Sequence, residues 1–412
     1  MIAGLHVTEV EIDCPLDWNH PDDGREITVF ARVVAAKDGL ARPYLVFLQG
    51  GPGSEAPRPW LEPASPPWLP RALEDYQVVL LDQRGTGRST PVGDDLLGAT
   101  DAAGVAEILT HLRADSIVSD CEALREHLGV PQWSVLGQSF GGFCLLNYLS
   151  RFPGSIAEAY FTGGLSAIGR PTDEVYALCY AKMAERSRQY YRWFPGDRAK
   201  VQRLVELARQ GELRLPNGDR VRERRLRSLG HMLGTSDGAH KLHWLLELDP
   251  ATNAFRHDLA AAMPFRGRNP LYSVVHESSY SDGFVTDWAA ERVLPEEFTV
   301  DETLLTGEHL FREFFEDDSE LAPWAEVAEI ISQQEWPRLY DADALAASGA
   351  RGAAAVYHGD VYVPVEFSLE TAKLMPGVRP YVTSEYEHNG LRANGGAVLD
   401  RLIRLAKGDI LR

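Results

Sequence analysis

The sequence predicts an α/β fold: a doubly wound, mostly parallel sheet carrying an inserted helical cap. Three observations lead there. Short runs that are apolar almost throughout, such as Tyr44-Leu45-Val46-Phe47-Leu48 and Val78-Val79-Leu80-Leu81-Asp82, recur along the chain. Unbroken apolarity implies burial on both faces, as in a parallel sheet covered by helices. A serine set between glycines, Gly137-Gln138-Ser139-Phe140-Gly141, joins one such run to a helix-patterned segment. Finally, the stretch from about Arg170 to Trp336 is long, charged and helical in pattern, after which strand-like sequence returns. Strand–helix alternation broken by one helical block describes a doubly wound core with a cap.

Taken in order, two strands are expected near Val7–Cys14 and Ile27–Val34, with Pro21-Asp22-Asp23-Gly24 as the turn. The runs ending in Leu48 and Asp82 are the next strands. Between them, the Pro-rich stretch Pro57 to Pro70 reads as a loop. A helix is expected from Asp115 to Leu128, with Asp115 as N-cap and Gly129 as stop. Trp133–Leu136 is a strand, Phe140 to Phe152 a helix, and Ala159–Thr162 a strand. Tyr176–Trp193 and Arg198–Arg209 are amphipathic cap helices. Ala353–Tyr357 and Pro380–Thr383 return to the sheet, and a helix from Gly396 to Lys407 ends the pattern. The expected divisions are 1–169 for the first part of the core, 170–336 for the cap and 337–412 for the second part of the core.

Composition narrows the function classes. With 412 residues, 44% hydrophobic and 25% charged, the chain has the make-up of a globular protein with a sizeable core. Its net charge of −19 disfavours nucleic acid and anionic membrane as partners. The basic run Arg220-Val221-Arg222-Glu223-Arg224-Arg225 is expected to be an exposed helix face. There is no run of 18 apolar residues to span a membrane, and Met1–Val7 leads into strand-like sequence without a secretory pattern. Cys14, Cys121, Cys144 and Cys179 lack metal-type spacing and read as small buried hydrophobes in a reducing, cytoplasmic setting.

The chemistry centres on Ser139. Glycines on both sides of a serine, between strand and helix, describe a nucleophile elbow of the α/β-hydrolase type. The turn is too sharp for bulk at its flanks, and it leaves the hydroxyl exposed beside a helix N-terminus that favours developing negative charge. A serine at its ordinary pKa needs a base, and the base needs a group to fix its tautomer. In this fold those partners follow in the order acid, then histidine. Asp360, in His358-Gly359-Asp360 after the penultimate strand, is the expected acid; Asp341 and Asp343 compete but precede that strand. His388, in Tyr386-Glu387-His388-Asn389-Gly390 after the last strand, is the expected base; His358 is its nearest rival. The oxyanion donors are expected to be the N–H groups of Phe140, next after the serine, and Gly51, in Gly50-Gly51-Pro52-Gly53 after the third strand.

His276-Glu277-Ser278-Ser279-Tyr280 has Tyr280 where a zinc-peptidase helix needs its second histidine, so no metal is expected. Neither a phosphate loop nor a dinucleotide fingerprint is present, and no cofactor is required.

Gln49-Gly50-Gly51-Pro52-Gly53, Asp82-Gln83-Arg84-Gly85-Thr86-Gly87-Arg88-Ser89 and Gly137-Gln138-Ser139-Phe140-Gly141-Gly142 together resemble the proline iminopeptidases (prolyl aminopeptidases), α/β-hydrolases of the serine peptidase class. The opening Cys14-Pro15-Leu16-Asp17-Trp18 and the closing Glu385-Tyr386-Glu387-His388-Asn389-Gly390-Leu391-Arg392 share the resemblance, which is closest to the larger bacterial branch. Gln49 stands where many members have histidine. The resemblance implies release of an N-terminal residue, usually proline, from short peptides with a free N-terminus, by way of a prolyl-enzyme. It further implies carboxylates for the substrate's ammonium, because an unpaired buried charge is costly. Glu277 and Glu308 are those candidates, and Phe140, Tyr280 and Phe284 are candidate walls of the proline pocket. Two other readings stay open at this level: another capped hydrolase (an esterase, or a broader amino- or tripeptidyl-peptidase), and a non-catalytic binding protein on the same fold.

Overall fold

The computed structural model describes residues 4–411. Residues 1–3 and 412, which begin and end the two expected core segments, lie outside the described residues. Among the described residues, one sheet contains β1 (Leu5–Pro15), β2 (Glu26–Ala36), β3 (Tyr44–Leu48), β4 (Gln77–Asp82), β5 (Trp133–Gln138), β6 (Ile156–Thr162), β7 (Gly352–Tyr357) and β8 (Val378–Thr383). Their spatial order is β1-β2-β4-β3-β5-β6-β7-β8. β1 and β2 are antiparallel, as are β2 and β4; the other pairings are parallel.

The all-apolar runs form the centre of this sheet. β4, β5 and β7 are buried at every position. Successive side chains alternate between two cores, as the two-residue period of a strand requires. Leu45 and Phe47 join Leu69, Ala72, Leu399 and Ile403 on one face. Val46 and Leu48 join Ile117, Cys121, Leu145 and Leu149 on the other. The first face is covered by α1 (Leu69–Asp75) and the last helix, and the second by α2 (Ala114–His127) and α3 (Phe140–Arg151).

Between β6 and β7 the described residues add no strand to this sheet. The segment is helical, led by α4 (Thr172–Trp193) and α5 (Asp197–Gln210), with α6 (Pro270–Val275) further along. Part of it has an apolar cluster of its own, including Val201, Leu204, Leu226, Leu242 and Phe255. Tyr176, Tyr180 and Met183 of α4 face the core cluster instead. The chain closes with α7 (Gly395–Lys407), whose buried residues Val398, Leu399, Leu402 and Ile403 follow helical spacing. No described helix is long and apolar enough to cross a membrane.

Three local expectations need correction. The Pro-rich stretch is not all loop: Trp60–Leu61 and Ala64–Ser65 pair as a short antiparallel hairpin, and Pro70 lies in the first turn of α1, where its missing N–H is harmless. Asp115 does not cap α2; Arg113 holds that position and Asp115 lies in the first turn, where its charge still suits the helix dipole. The basic run is not simply an exposed face. Arg225, and Arg227 just beyond it, are buried: Arg225 donates to Asp318 Oδ2 at 3.0 Å, and Arg227 Nε donates to the Leu304 carbonyl at 2.7 Å.

The packing around the β5–α3 turn leaves no room for a side chain at Gly141, whose Cβ would overlap the backbone carbonyl of Leu48. Gly141→Ala should therefore lower stability by about 3 kcal/mol, the upper range for overpacking. Gly196→Ala, where a Cβ meets nothing within 4 Å, should change it by less than about 0.5 kcal/mol. Urea unfolding midpoints of the two variants check both.

Candidate active site

Ser139 occupies the turn from β5 into α3 at φ 54° and ψ −125°. A non-glycine residue at positive φ is strained by about 1–3 kcal/mol and persists only where its surroundings fix it. Here they do. The Ser139 N–H donates to the Thr162 carbonyl at 3.0 Å, and its carbonyl accepts the Gly142 N–H at 2.7 Å. Added Cβ atoms at Gly137 and Gly142 would stand 2.5 Å from the carbonyl oxygens of Gly141 and Gly164. The glycines flanking Ser139 are thus places where backbone packs directly on backbone.

Asp360 follows β7 and His388 follows β8, and the topology brings both to Ser139. His388 Nδ1 lies 2.6 Å from Asp360 Oδ2, and His388 Nε2 lies 2.9 Å from Ser139 Oγ. A carboxylate can only accept, so Nδ1 carries the proton and Nε2 is left to accept from the serine hydroxyl. The other oxygen of Asp360 accepts the N–H groups of Tyr362 (2.9 Å) and Val363 (3.0 Å). Asp360 and His388 are buried, and Ser139 is half-buried. The rivals fall elsewhere: His358, Asp341 and Asp343 are exposed, and Asp341 caps a short helix by accepting the Ala344 N–H at 2.9 Å.

The loop after β3 lies against the serine. A Cβ on Gly50 would be 2.9 Å from Ser139 Cβ, and Gly51 follows at φ 141°. Gln83 Nε2 supports this loop, donating to the Gln49 carbonyl at 3.0 Å. Phe140 is the first residue of α3, where backbone N–H groups lack intrahelical partners.

A cavity of about 470 Å³ opens over Ser139 and His388, within the usual size range for small-ligand sites. Gln49, Gly50 and Gly51 form one side, and Met263, Phe265, Tyr272 and Glu308 come from the helical insertion. Tyr362, Arg266, Arg268 and Arg392 complete much of the remainder.

The two expected ammonium partners separate in the structure. Glu308 lines the cavity, half-buried, and is held there: Tyr272 Oη donates to its carboxylate at 2.7 Å, and His276 Nε2 lies 3.1 Å from its backbone carbonyl. Glu277 is not among the described residues that line the cavity. It is buried, and its two oxygens accept the N–H groups of Ala289 (3.0 Å) and Ala290 (2.9 Å), the first residues of a short helix. Tyr280 and Phe284 also fall outside the lining. Tyr280 is buried, its ring packed edge-on against those of Tyr176 and His276, and Phe284 is half-buried. The sequence pattern carries no signal for Tyr272, and for Arg392 only its place in the closing motif; both line the cavity.

The sheet order and the serine turn define an α/β-hydrolase. Residues 43–211 match the family described as "alpha/beta hydrolase fold". The chain is 42% identical over 421 aligned positions to a proline iminopeptidase of Aeromonas sobria, covering 98% of this chain and 97% of that protein. It is 31% identical to proline iminopeptidase aneH of Aspergillus aculeatus, covering 98% and 94%. The chain belongs to the proline iminopeptidase family.

Burial raises the Glu277 carboxyl to about 7, against the opposing effect of its two N–H donors. Its unfolded value is near 4.5, so the folded state holds the extra proton between these values. Stability contributed by that proton is full below about pH 4.5 and is lost as pH rises through about 7. A shift of this size corresponds to on the order of 3 kcal/mol. Glu277→Gln should remove this component, so the difference in urea stability between pH 5 and pH 8 should shrink in the variant.

Proposed function

We propose that the chain is a serine aminopeptidase that releases N-terminal proline from short peptides. The carrying observation is a linked Ser139–His388–Asp360 set facing a cavity that also holds a carboxylate, Glu308. Membership of the proline iminopeptidase family supports the same reading.

In this reading His388 takes the Ser139 proton as the serine oxygen attacks the carbonyl of the N-terminal residue. Asp360 holds the imidazole in the required tautomer and stabilises the imidazolium that forms. The N–H groups of Gly51 and Phe140 receive the oxyanion, with α3 adding its N-terminal dipole. His388 then protonates the leaving amine, and a water molecule, activated by the same histidine, releases proline from Ser139. The chemistry needs no metal or cofactor.

Glu308 sets the register: an ammonium paired to it fixes the N-terminus at one distance from Ser139, so a single residue is removed. Tyr272 and Phe265, their rings stacked 5.1 Å apart beside Glu308, offer an apolar surface to a proline ring. The leaving peptide departs on the His388 side, since its nitrogen takes the histidine's proton. Arg392, in the short helix Gly390–Ala393 that follows His388, lines the cavity and suits the carboxylate end of a short peptide. A cytoplasmic setting fits the four cysteines, all buried and unpaired.

A prolyl-arylamide should be cleaved much faster than its N-blocked counterpart. Glu308→Gln should lower kcat/KM on the free-amine substrate by about 10- to 100-fold, the value of a hydrogen bond to a charged group, and leave the blocked substrate almost unchanged. Equal rates on the two substrates with the unmodified enzyme would sink the aminopeptidase reading. Arg392→Gln should weaken hydrolysis of prolyl dipeptides with a free carboxylate and spare their C-terminal amides; paired progress curves on the two substrates read this directly.

A further inference from the structure

Arg186 projects from α4 to the two loops that carry Asp360 and His388. Its Nη1 donates to Glu387 Oε1 at 2.7 Å, and its Nη2 donates to Glu387 Oε2 at 2.6 Å, a bidentate pair. The same Nη2 donates to the Gly359 carbonyl at 2.9 Å. Glu387 immediately precedes His388, and Gly359 immediately precedes Asp360. One guanidinium therefore joins the neighbours of the histidine and the carboxylate whose separation sets the hydrogen bond between them. The pair is shielded, with the side chains of Arg186 and Glu387 only 10% and 22% exposed. Shielding makes the pair a fixed geometric link rather than a large source of stability, since removing one partner would leave the other charge buried without compensation.

The local sequence is fitted to this contact. A Cβ at Gly359 would collide with Arg186 Nη2 and stand 3.0 Å from Glu387 Oε2, so a side chain there would push the guanidinium from its present position. Arginine is also the side chain that suits the task, because its planar fork spans a carboxylate and a carbonyl together. A second contact from the helical insertion holds the other side of the same loop. The backbone N–H and hydroxyl of Ser236 both donate to Asn389 Oδ1 at 3.0 Å. His388 is thus held between residues that are each bonded to the helical insertion.

We propose that Arg186 is a positioning residue that sets the Asp360–His388 geometry from the helical insertion, so that docking of this segment and assembly of the catalytic set are one event. The inference rests on the Ser139–His388–Asp360 reading above. Among the described residues the hydrogen bonds of Arg186 go to Glu387 and Gly359, and it acts through them. Displacing a reacting group by about 1 Å can lower rates on the order of 100-fold, so small movements of these loops matter.

The test compares Arg186→Ala, Arg186→Lys and Glu387→Gln with Arg188→Ala, whose pair with Glu297 lies on the surface of the same helix. On a prolyl-arylamide, Arg186→Ala should lose about 10- to 100-fold in kcat with KM changed less than about threefold. Reaction of Ser139 with a fluorophosphonate should slow in parallel. Added guanidinium ion at millimolar concentration should restore part of both rates in Arg186→Ala. Arg186→Lys should retain intermediate activity, Glu387→Gln should fall in the same direction as Arg186→Ala, and Arg188→Ala should match the unmodified enzyme. Unchanged kcat in Arg186→Ala would overturn the proposal. So would a loss that guanidinium does not restore in protein whose thermal midpoint is unaltered. Ser139→Ala separates the two levels: if it keeps full activity, the underlying assignment of Ser139 fails; if it is inactive while Arg186→Ala is normal, only the role of Arg186 fails.

Discussion

Everything at this site depends on holding Ser139 in a backbone conformation it would not choose. Left alone, the residue would relax out of positive φ and carry its hydroxyl away from the cavity. The fold prevents this by bringing three pieces of backbone together around it. The end of β3 abuts Gly141, the segment after β6 abuts Gly142, and the start of α3 folds back over Gly137. Each approach removes the space for a side chain. The glycine spacing read from the sequence is therefore a record of these contacts, and the exposed hydroxyl follows from them.

The motif Asp82–Ser89 supports this arrangement from below without taking part in it. Arg84 is fully buried, and its five donors are all used: two on Asp120, and one each on the carbonyls of Leu16, His111 and Pro15. An arginine at such a place is tolerable only when every donor is met and its charge is paired. Trp18 Nε1 adds a donor to the same aspartate at 2.9 Å. Two segments that looked like separate family signatures, Cys14–Trp18 and Asp82–Ser89, are thus one buried polar cluster joining β1, β4 and α2. Gln83, beside Arg84, extends that order to the Gln49–Gly53 loop facing the serine.

The sheet was legible because its strands are apolar throughout and its loops carry glycine, and those patterns have one structural reading. The approach of Asp360 and His388 to Ser139 was legible for a related reason: their positions after successive strands determine where they emerge. The helical insertion was harder. Both Glu277 and Glu308 sit near aromatic residues in sequence, and nothing local distinguishes them. What separates them is tertiary: the helix starting at Ala289 presents two free N–H groups that take Glu277, whereas Tyr272 and His276 hold Glu308 at the cavity. The buried Arg225 was hidden for the same reason, since its partner Asp318 lies far along the chain. The aromatic character of Phe284 and Tyr280 suits a pocket wall but does not reveal direction, and neither is among the described residues that line the cavity.

The order of these parts along the chain has a consequence during synthesis. Ser139 is made early, and Asp360 and His388 come only after the whole helical insertion. A polypeptide still emerging from the ribosome has Ser139 without the histidine it bonds for most of its elongation. Even a chain complete through Tyr357 lacks β8, the strand after which the histidine emerges. On the proposed mechanism such a chain stays silent among other nascent chains until β8 has joined the sheet.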